Sequence, residues 1–364
     1  ITQWVHSFPS IITSTTLCKT LKGKNCPILT ITAQHSPSKI PKKCVFVTSR
    51  NHPGEANASI ILDGFIEFLF SKQPSAEYLL NHFIFKIIPM VNIDGVIDGY
   101  HHIGLDGENL NHVWGNPDSR KHPVIYHIKS LMNDVNKGAG IAAFIDFHGT
   151  SSEHGTFLYG CPFNDNDKNI SFTSINKENL FPKILSSLCD SFSIEKCQNP
   201  LPRRINDPPR SVVRKTFGVI NSFSIKSSFG GITDGIWENS LYNEISWKDI
   251  GAKVAESLYH LFCEKPSYLV KSIENSPSFS NSNSPKAKFN SSFDYSDSFH
   301  SLNNSNSDLL NEKKRKAEED EKATVVAIDT GDGIKIISGS SGMNAALYSS
   351  PKATPSNYNS SSNY

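Results

Sequence analysis

Ser49-Arg50-Asn51-His52-Pro53-Gly54-Glu55 is the stretch around which the rest of the chain is arranged. It closes an apolar run over residues 44–48 and opens a helical pattern over 54–71, so it reads as a strand-to-helix turn held by Pro53 and Gly54. His52 and Glu55, three residues apart, offer one imidazole nitrogen and one carboxylate to a common point. A second histidine arrives in Phe144-Ile145-Asp146-Phe147-His148-Gly149, again at the end of an apolar run. Two histidines and one glutamate, with a fourth position left for water, form the ligand set of a catalytic zinc site. Taken singly, without the flanking motifs, each histidine reads sooner as an ordinary loop or core residue.

Outward from this turn, short β-branched runs predict strands over 27–33, 44–48, 82–90, 140–147, 156–159 and 219–226. Helical spacing of apolar residues marks 54–71, 122–135, 177–189 and 247–262. Asn92-Ile93-Asp94-Gly95 reads as a turn, 98–114 as a His- and Gly-rich loop, and 202–210 as a basic, Pro-rich loop leading through Val212-Val213 to the next strand. Strands alternating with helices give an α/β class: a mixed, largely parallel sheet with helices on both faces and ligands beyond the strand ends. The expected divisions are a leading segment over 1–43, the main domain over 44–265 and a low-complexity tail over 266–364. Ser and Asn dominate 276–307, too polar to offset chain entropy, which predicts disorder. Residues 324–337 suit a small hairpin around Thr330-Gly331-Asp332-Gly333, and nothing repeats at a fixed period.

The 364 residues carry a formal net charge of +1, which argues against a whole-chain partner such as nucleic acid or an anionic membrane. No apolar run is long enough to span a bilayer, and Ile1-Thr2-Gln3-Trp4 lacks the form of a secretory signal. Seven cysteines with no C-x-x-C pair read as thiols of a reducing compartment, so the expected location is cytoplasmic. Lys313-Lys314-Arg315-Lys316 reads either as a nuclear import patch or as part of a solvated charged helix.

With these motifs assembled, the chain resembles the zinc metallocarboxypeptidases, and among them the cytosolic branch whose members trim glutamates from tubulin. The likeness runs over 17–262, through Leu17-Cys18, Cys26-Pro27, His52-Pro53-Gly54-Glu55, Asn92-Ile93-Asp94-Gly95, residues 107–114, Asp146-Phe147-His148-Gly149 and Phe157-Leu158-Tyr159-Gly160. The resemblance implies one Zn²⁺ held by His52, Glu55 and His148. Asp146, two residues before His148 on one strand, faces the same side and supports that ligand. The implied partners are C-terminal tails of peptides or proteins, tubulin among them.

Around the implied metal the sequence departs from the family. The general-base glutamate falls on Lys226, an ammonium that cannot accept a proton. The arginine that polarises the scissile carbonyl falls on His102, and the Asn-Arg pair that clamps the terminal carboxylate reads Asn111-His112. An imidazole supplies one donor where guanidinium supplies a fork. The family aspartate two residues before Asn111 is Asn109. Three readings follow. The first is a carboxypeptidase that removes acidic C-terminal residues, with Arg203, Arg204, Arg210, Arg214 and Lys215 either attracting the tail or forming a solvated basic loop. The second is a zinc-binding pseudo-peptidase that holds tails without cutting. The third is a structural zinc site closed by His102 or His112.

Overall fold

The computed structural model describes residues 2–34, 41–161, 180–198, 207–232, 238–263, 325–329 and 334–338. In chain order its elements are α1 (Thr2–Ser7), β1 (Ile12–Lys19), β2 (Asn25–Ile31), β3 (Lys43–Ser49), α2 (Ala56–Phe70), α3 (Pro74–His82), β4 (Phe83–Ile88) and α4 (Ile93–Ile97). There follow α5 (Pro123–Lys137), β5 (Ile141–Thr150), β6 (Thr156–Tyr159), α6 (Leu180–Leu188), α7 (Pro209–Phe217), β7 (Asn221–Ser228), α8 (Glu244–Phe262), β8 (Val325–Asp329) and β9 (Ile334–Ser338).

The chain divides into two compact units, Ile1–Ser282 and Asn283–Tyr364. In the second, β8 and β9 pair antiparallel. The predicted disorder over 276–307, the patch Lys313–Lys316 and the turn Thr330–Gly333 lie outside the described residues, as do Arg203 and Arg204.

The first unit is built on a seven-stranded sheet of order β1-β2-β4-β3-β5-β7-β6. Its centre, β4-β3-β5-β7, is parallel, while β1, β2 and β6 join antiparallel at the two sides. Alternation along the central strands explains burial on both faces. Val45, Val47, Ala143, Ile145, Phe147, Phe223 and Ile225 enter one core with α2, α3 and α8. Cys44, Phe46 and Phe144 enter the other, with α5 and α7. By the same alternation Asp146, His148, Ser224 and Lys226 share the face of Phe144.

α2 and α8 meet backbone to backbone. A Cβ on Gly251 would stand 1.8 Å from the carbonyl oxygen of Ile61, and one on Gly64 would stand 2.0 Å from that of Lys248. α8 starts with a reciprocal capping box between Asn243 and Ser246.

Two local expectations need correction, and α1, β1 and α3 answer to no expectation. The Val212-Val213 segment is not a lead-in to a strand but part of α7, whose Pro209 sits in the first turn where its missing N–H costs nothing. Asn92-Ile93-Asp94-Gly95 is more than a turn: the Asn92 side chain accepts the Gly95 N–H and caps the short helix α4. β1 is a full strand that sequence reading left unassigned.

Candidate metal centre

β3 ends at Ser49, and Arg50 turns the chain with a left-handed φ of 60°. The guanidinium stabilises that turn from within: Nε and one terminal nitrogen donate to the Pro53 carbonyl, and the other donates to Ser59 Oγ at 3.0 Å. The outcome is a tight loop in which His52 and Glu55 are both buried. Glu55 occupies the N-cap position of α2 without its side chain capping the helix, which leaves the carboxylate for the imidazoles. Gly54 is required by close approach, because a Cβ there would meet the His101 ring at 2.7 Å and its carbonyl oxygen at 3.0 Å.

β5 is the direct neighbour of β3 and delivers His148 to the same point. His52 Nδ1 lies 2.6 Å from Glu55 Oε1, and His148 Nδ1 lies 2.8 Å from Glu55 Oε2. The far nitrogens are engaged elsewhere. His148 Nε2 meets Asp146 Oδ2 at 2.7 Å, and His52 Nε2 meets Asn109 Oδ1 at 3.1 Å. Asn109 Oδ1 also accepts the Asn111 backbone N–H, which fixes that amide with its oxygen toward His52.

These contacts decide the donor chemistry. Each Nε2 faces an acceptor and therefore carries hydrogen, so each Nδ1 presents a lone pair to an anionic carboxylate. Two acceptors at such distances need a cation between them, either a proton or a metal. The set of two imidazole nitrogens and one carboxylate oxygen suits zinc, and the partners behind each imidazole are those that orient metal-bound histidines.

The electrostatics agree. Burial works against the Glu55 carboxylate, yet His148 and His52 hold it well below the usual range. Burial would likewise lower His148, but Asp146 and Glu55 outweigh it and raise its pKa to about 9. Asp146 is itself fixed by Thr48 Oγ1 at 2.7 Å and Asn51 Nδ2 at 2.8 Å, and Asn51 in turn accepts the Trp114 indole N–H at 3.4 Å. Sequence reasoning named Asp146 but missed Thr48 and Asn51, which sit close to His52 in the chain yet reach Asp146 only across the β3–β5 ladder, and Trp114, which is distant from both along the chain.

The remaining candidates lie around this group. His102 stacks on His52 with centroids 3.8 Å apart, and neither it nor His112 joins the converging ligand atoms among the described residues. The turn Leu110–His112 carries Asn111, whose buried Oδ1 has no partner among the described residues, and the exposed His112. Lys226 stands abreast of His148 in the parallel β5–β7 register, with its Nζ 5.1 Å from the centroid of Tyr159. Burial lowers its pKa, opposed by Glu55. Arg210 lies over the same ring at 5.4 Å. It is buried, with Nε donating to the Gly160 carbonyl, and is thus not part of a solvated basic loop. Tyr159 was missed as a site residue because a strand aromatic reads as core.

A second acidic group needs no metal. His122 Nε2 lies 3.0 Å from both Asp106 and Glu108 carboxylates. Its Nδ1 accepts the Asp118 N–H, so Nε2 bears the hydrogen and donates to them.

Residues 1–114 match the M14 peptidase family, zinc carboxypeptidase. The chain is 35% identical over 260 residues to cytosolic carboxypeptidase 1 of Danio rerio, covering 67% of this chain and 22% of that protein. It is 34% identical over 260 residues to cytosolic carboxypeptidase 1 of Homo sapiens, covering 67% and 21%. Against cytosolic carboxypeptidase 4 of Mus musculus it is 35% identical over 252 residues, covering 65% and 22%. The chain thus spans about a fifth of the length of these relatives. In fold it is similar to a metallo-carboxypeptidase from Burkholderia cenocepacia, with a TM-score of 0.60 and 21% identity over 71% of this chain and 66% of that one. A metallo-carboxypeptidase from Pseudomonas aeruginosa gives a TM-score of 0.60 and 21% identity over 71% and 67%. The chain belongs to the zinc carboxypeptidase family, in its cytosolic carboxypeptidase branch.

Proposed function

We propose that this domain holds one zinc ion on His52, Glu55 and His148 and uses the carboxypeptidase cleft to bind acidic C-terminal tails of peptides or proteins, with hydrolysis suppressed. Tubulin tails are one such ligand, and the naming of the relatives as cytosolic supports a cytoplasmic setting. Among the described residues no helix is long and apolar enough to cross a membrane.

The observation that carries this reading is the register that sets Lys226 beside His148. When bound, zinc would supply a Lewis acid and an acidified water. Peptide hydrolysis also needs a base at that water, worth about 10² to 10⁴ in rate, and an ammonium cannot serve. Acid recognition is supported by Arg210 and Lys226, two cations at one aromatic ring. Neither has a carboxylate within ion-pair distance among the described residues. A ligand carboxylate would complete them.

One observation favours a second reading, an active hydrolase. Burial lowers the Lys226 pKa, and a neutral amine in that place could act as base. Metal content and glutamate release from C-terminal polyglutamate peptides separate the two. One zinc per chain, saturable peptide binding weakened in Arg210→Gln, and no release support tail capture. Ready release by the unaltered chain, abolished in Glu55→Gln, supports the hydrolase and overturns the first reading.

A further inference from the structure

β1 and β2 form a hairpin whose tip, residues 20–24, is closed by Thr20 N–H to the Lys24 carbonyl at 2.8 Å and by Gly23 at φ 72°. Just behind this tip Cys18 and Cys26 are direct cross-strand partners, placed there by a bulge after Thr16. Both side chains lie on the same face, Cys26 within the α5-side core and Cys18 packed against it. Directly opposed residues in an antiparallel pair have Cα atoms about 4.5–5.5 Å apart, inside the roughly 4.4–6.8 Å that a disulfide spans. None of the other five cysteines faces another cysteine in a strand ladder: Cys44 pairs with Ile84 and Ile141, Cys189 and Cys197 are buried outside the strands, and Cys161 and Cys263 are half-buried.

We infer that Cys18 and Cys26 are a reversible dithiol–disulfide pair, oxidised by a small-molecule disulfide of the glutathione type. Accessibility sets the order. Cys18 is half-buried and can be reached, whereas Cys26 is fully buried. Their mutual hydrogen bond favours the Cys18 thiolate and raises Cys26, which suits attack through Cys18. The Cys18 thiolate attacks one sulfur of the oxidant, the oxidant's S–S bond breaks, and one small thiolate leaves and takes up a proton. Cys26 then gives up its proton and attacks the Cys18 sulfur, which forms the cross-strand bond and expels the second small thiol. The protein loses two electrons and two protons; the oxidant gains both as two thiols.

The link would staple a hairpin that braces the loop carrying His102. Thr20 Oγ1 donates to Asp94 Oδ1 at 2.7 Å, the Lys22 N–H donates to Asp94 Oδ2 at 3.1 Å, and the Lys22 ammonium pairs with Asp98. Asp94 lies in α4 and Asp98 is its C-cap, and the chain runs on from there to His101 and His102.

The test incubates the full chain with oxidised and reduced glutathione at stepped ratios, followed by acid quenching, alkylation and peptide mapping. Lys19, Lys22 and Lys24 lie between the two cysteines, so trypsin leaves a disulfide as a link between two separate peptides. The expected result is that linked peptide, with both thiols lost together and recovered on reduction. In Cys26→Ala a glutathione adduct accumulates on Cys18. Should that variant not fold, Cys18→Ser at the partly exposed position serves instead, and Cys26 stays unmodified in it. Overturning results are a stable Cys18 adduct in the unaltered chain, two free thiols at ratios that modify Cys263, or modification of Cys26 in Cys18→Ser.

Discussion

Asp146→Asn tests the proposed metal centre through a residue outside the three converging ligand candidates. In the native arrangement one carboxylate oxygen accepts from Thr48 and Asn51, and the other accepts from His148 Nε2. Asparagine can keep the first two bonds only by turning its oxygen to them, which aims its NH₂ at His148 Nε2. That nitrogen must then act as acceptor, and the hydrogen moves to Nδ1, the atom that faces Glu55 and would have to bind the proposed ion. Loss of a partner behind a metal-bound histidine typically weakens the metal about 10- to 100-fold, or about 1.4 to 2.7 kcal/mol. The forced tautomer places Asp146→Asn at the upper end. Asp146→Ala, which removes the anchor without imposing a donor, belongs at the lower end. The measurement is zinc affinity by competition with a chromogenic chelator near pH 7, with near-ultraviolet circular dichroism as the check on folding. A folded Asp146→Asn protein that binds zinc within twofold of the unaltered chain, or more tightly than Asp146→Ala, would refute the tautomer argument.

Three further outcomes are expected. Lys226→Glu places a base beside His148 and should raise glutamate release from polyglutamate peptides by about 10² to 10⁴ over the unaltered chain, read in a coupled glutamate assay; no gain in a zinc-loaded variant would point to the other departures, at His102 and His112, as limiting. In metal-free protein the raised pKa of His148 contributes stability that is complete below about 6.5, its unfolded value, and is lost as pH rises through about 9. Chelator-treated protein should therefore lose on the order of 3 kcal/mol between those limits in urea titrations, and zinc-loaded protein should not. Gly251→Ala drives a methyl group into the Ile61 carbonyl and should cost about 3 kcal/mol or more, measured by the urea midpoint.

The parts of the fold that rest on apolar periodicity were legible without coordinates. β3, β4 and α2 fall within a residue or two of where buried runs and helical spacing put them, and β5 starts where expected but runs three residues further, because each is packed on both sides or along one clean stripe. β1 was not legible. As an edge strand it is mostly exposed, and its Thr and Ser residues carry no apolar alternation. α7 was hidden by its own start signal, since Pro208-Pro209-Arg210 reads as a loop until Pro209 is seen to open a helix that buries Arg210 and Val213. The motif around His52 announced the candidate ligands, yet the left-handed Arg50 that shapes the turn left no trace, as only glycine advertises that conformation. Thr48 and Asn51 sit next to the His52 motif, but their role shows only when β5 brings Asp146 to them, and Tyr159 comes from a separate strand that no local spacing joins to them.

The ladder between β5 and β7 carries one more implication. Backbone pairing, not side-chain chemistry, decides that whatever residue occupies position 226 arrives next to His148. On the function proposed here, the scaffold is therefore indifferent to the task. Exchanging one amino acid at the end of a strand can convert an instrument for cutting into one for gripping, with no part of the architecture rebuilt and the address of the ligand unchanged.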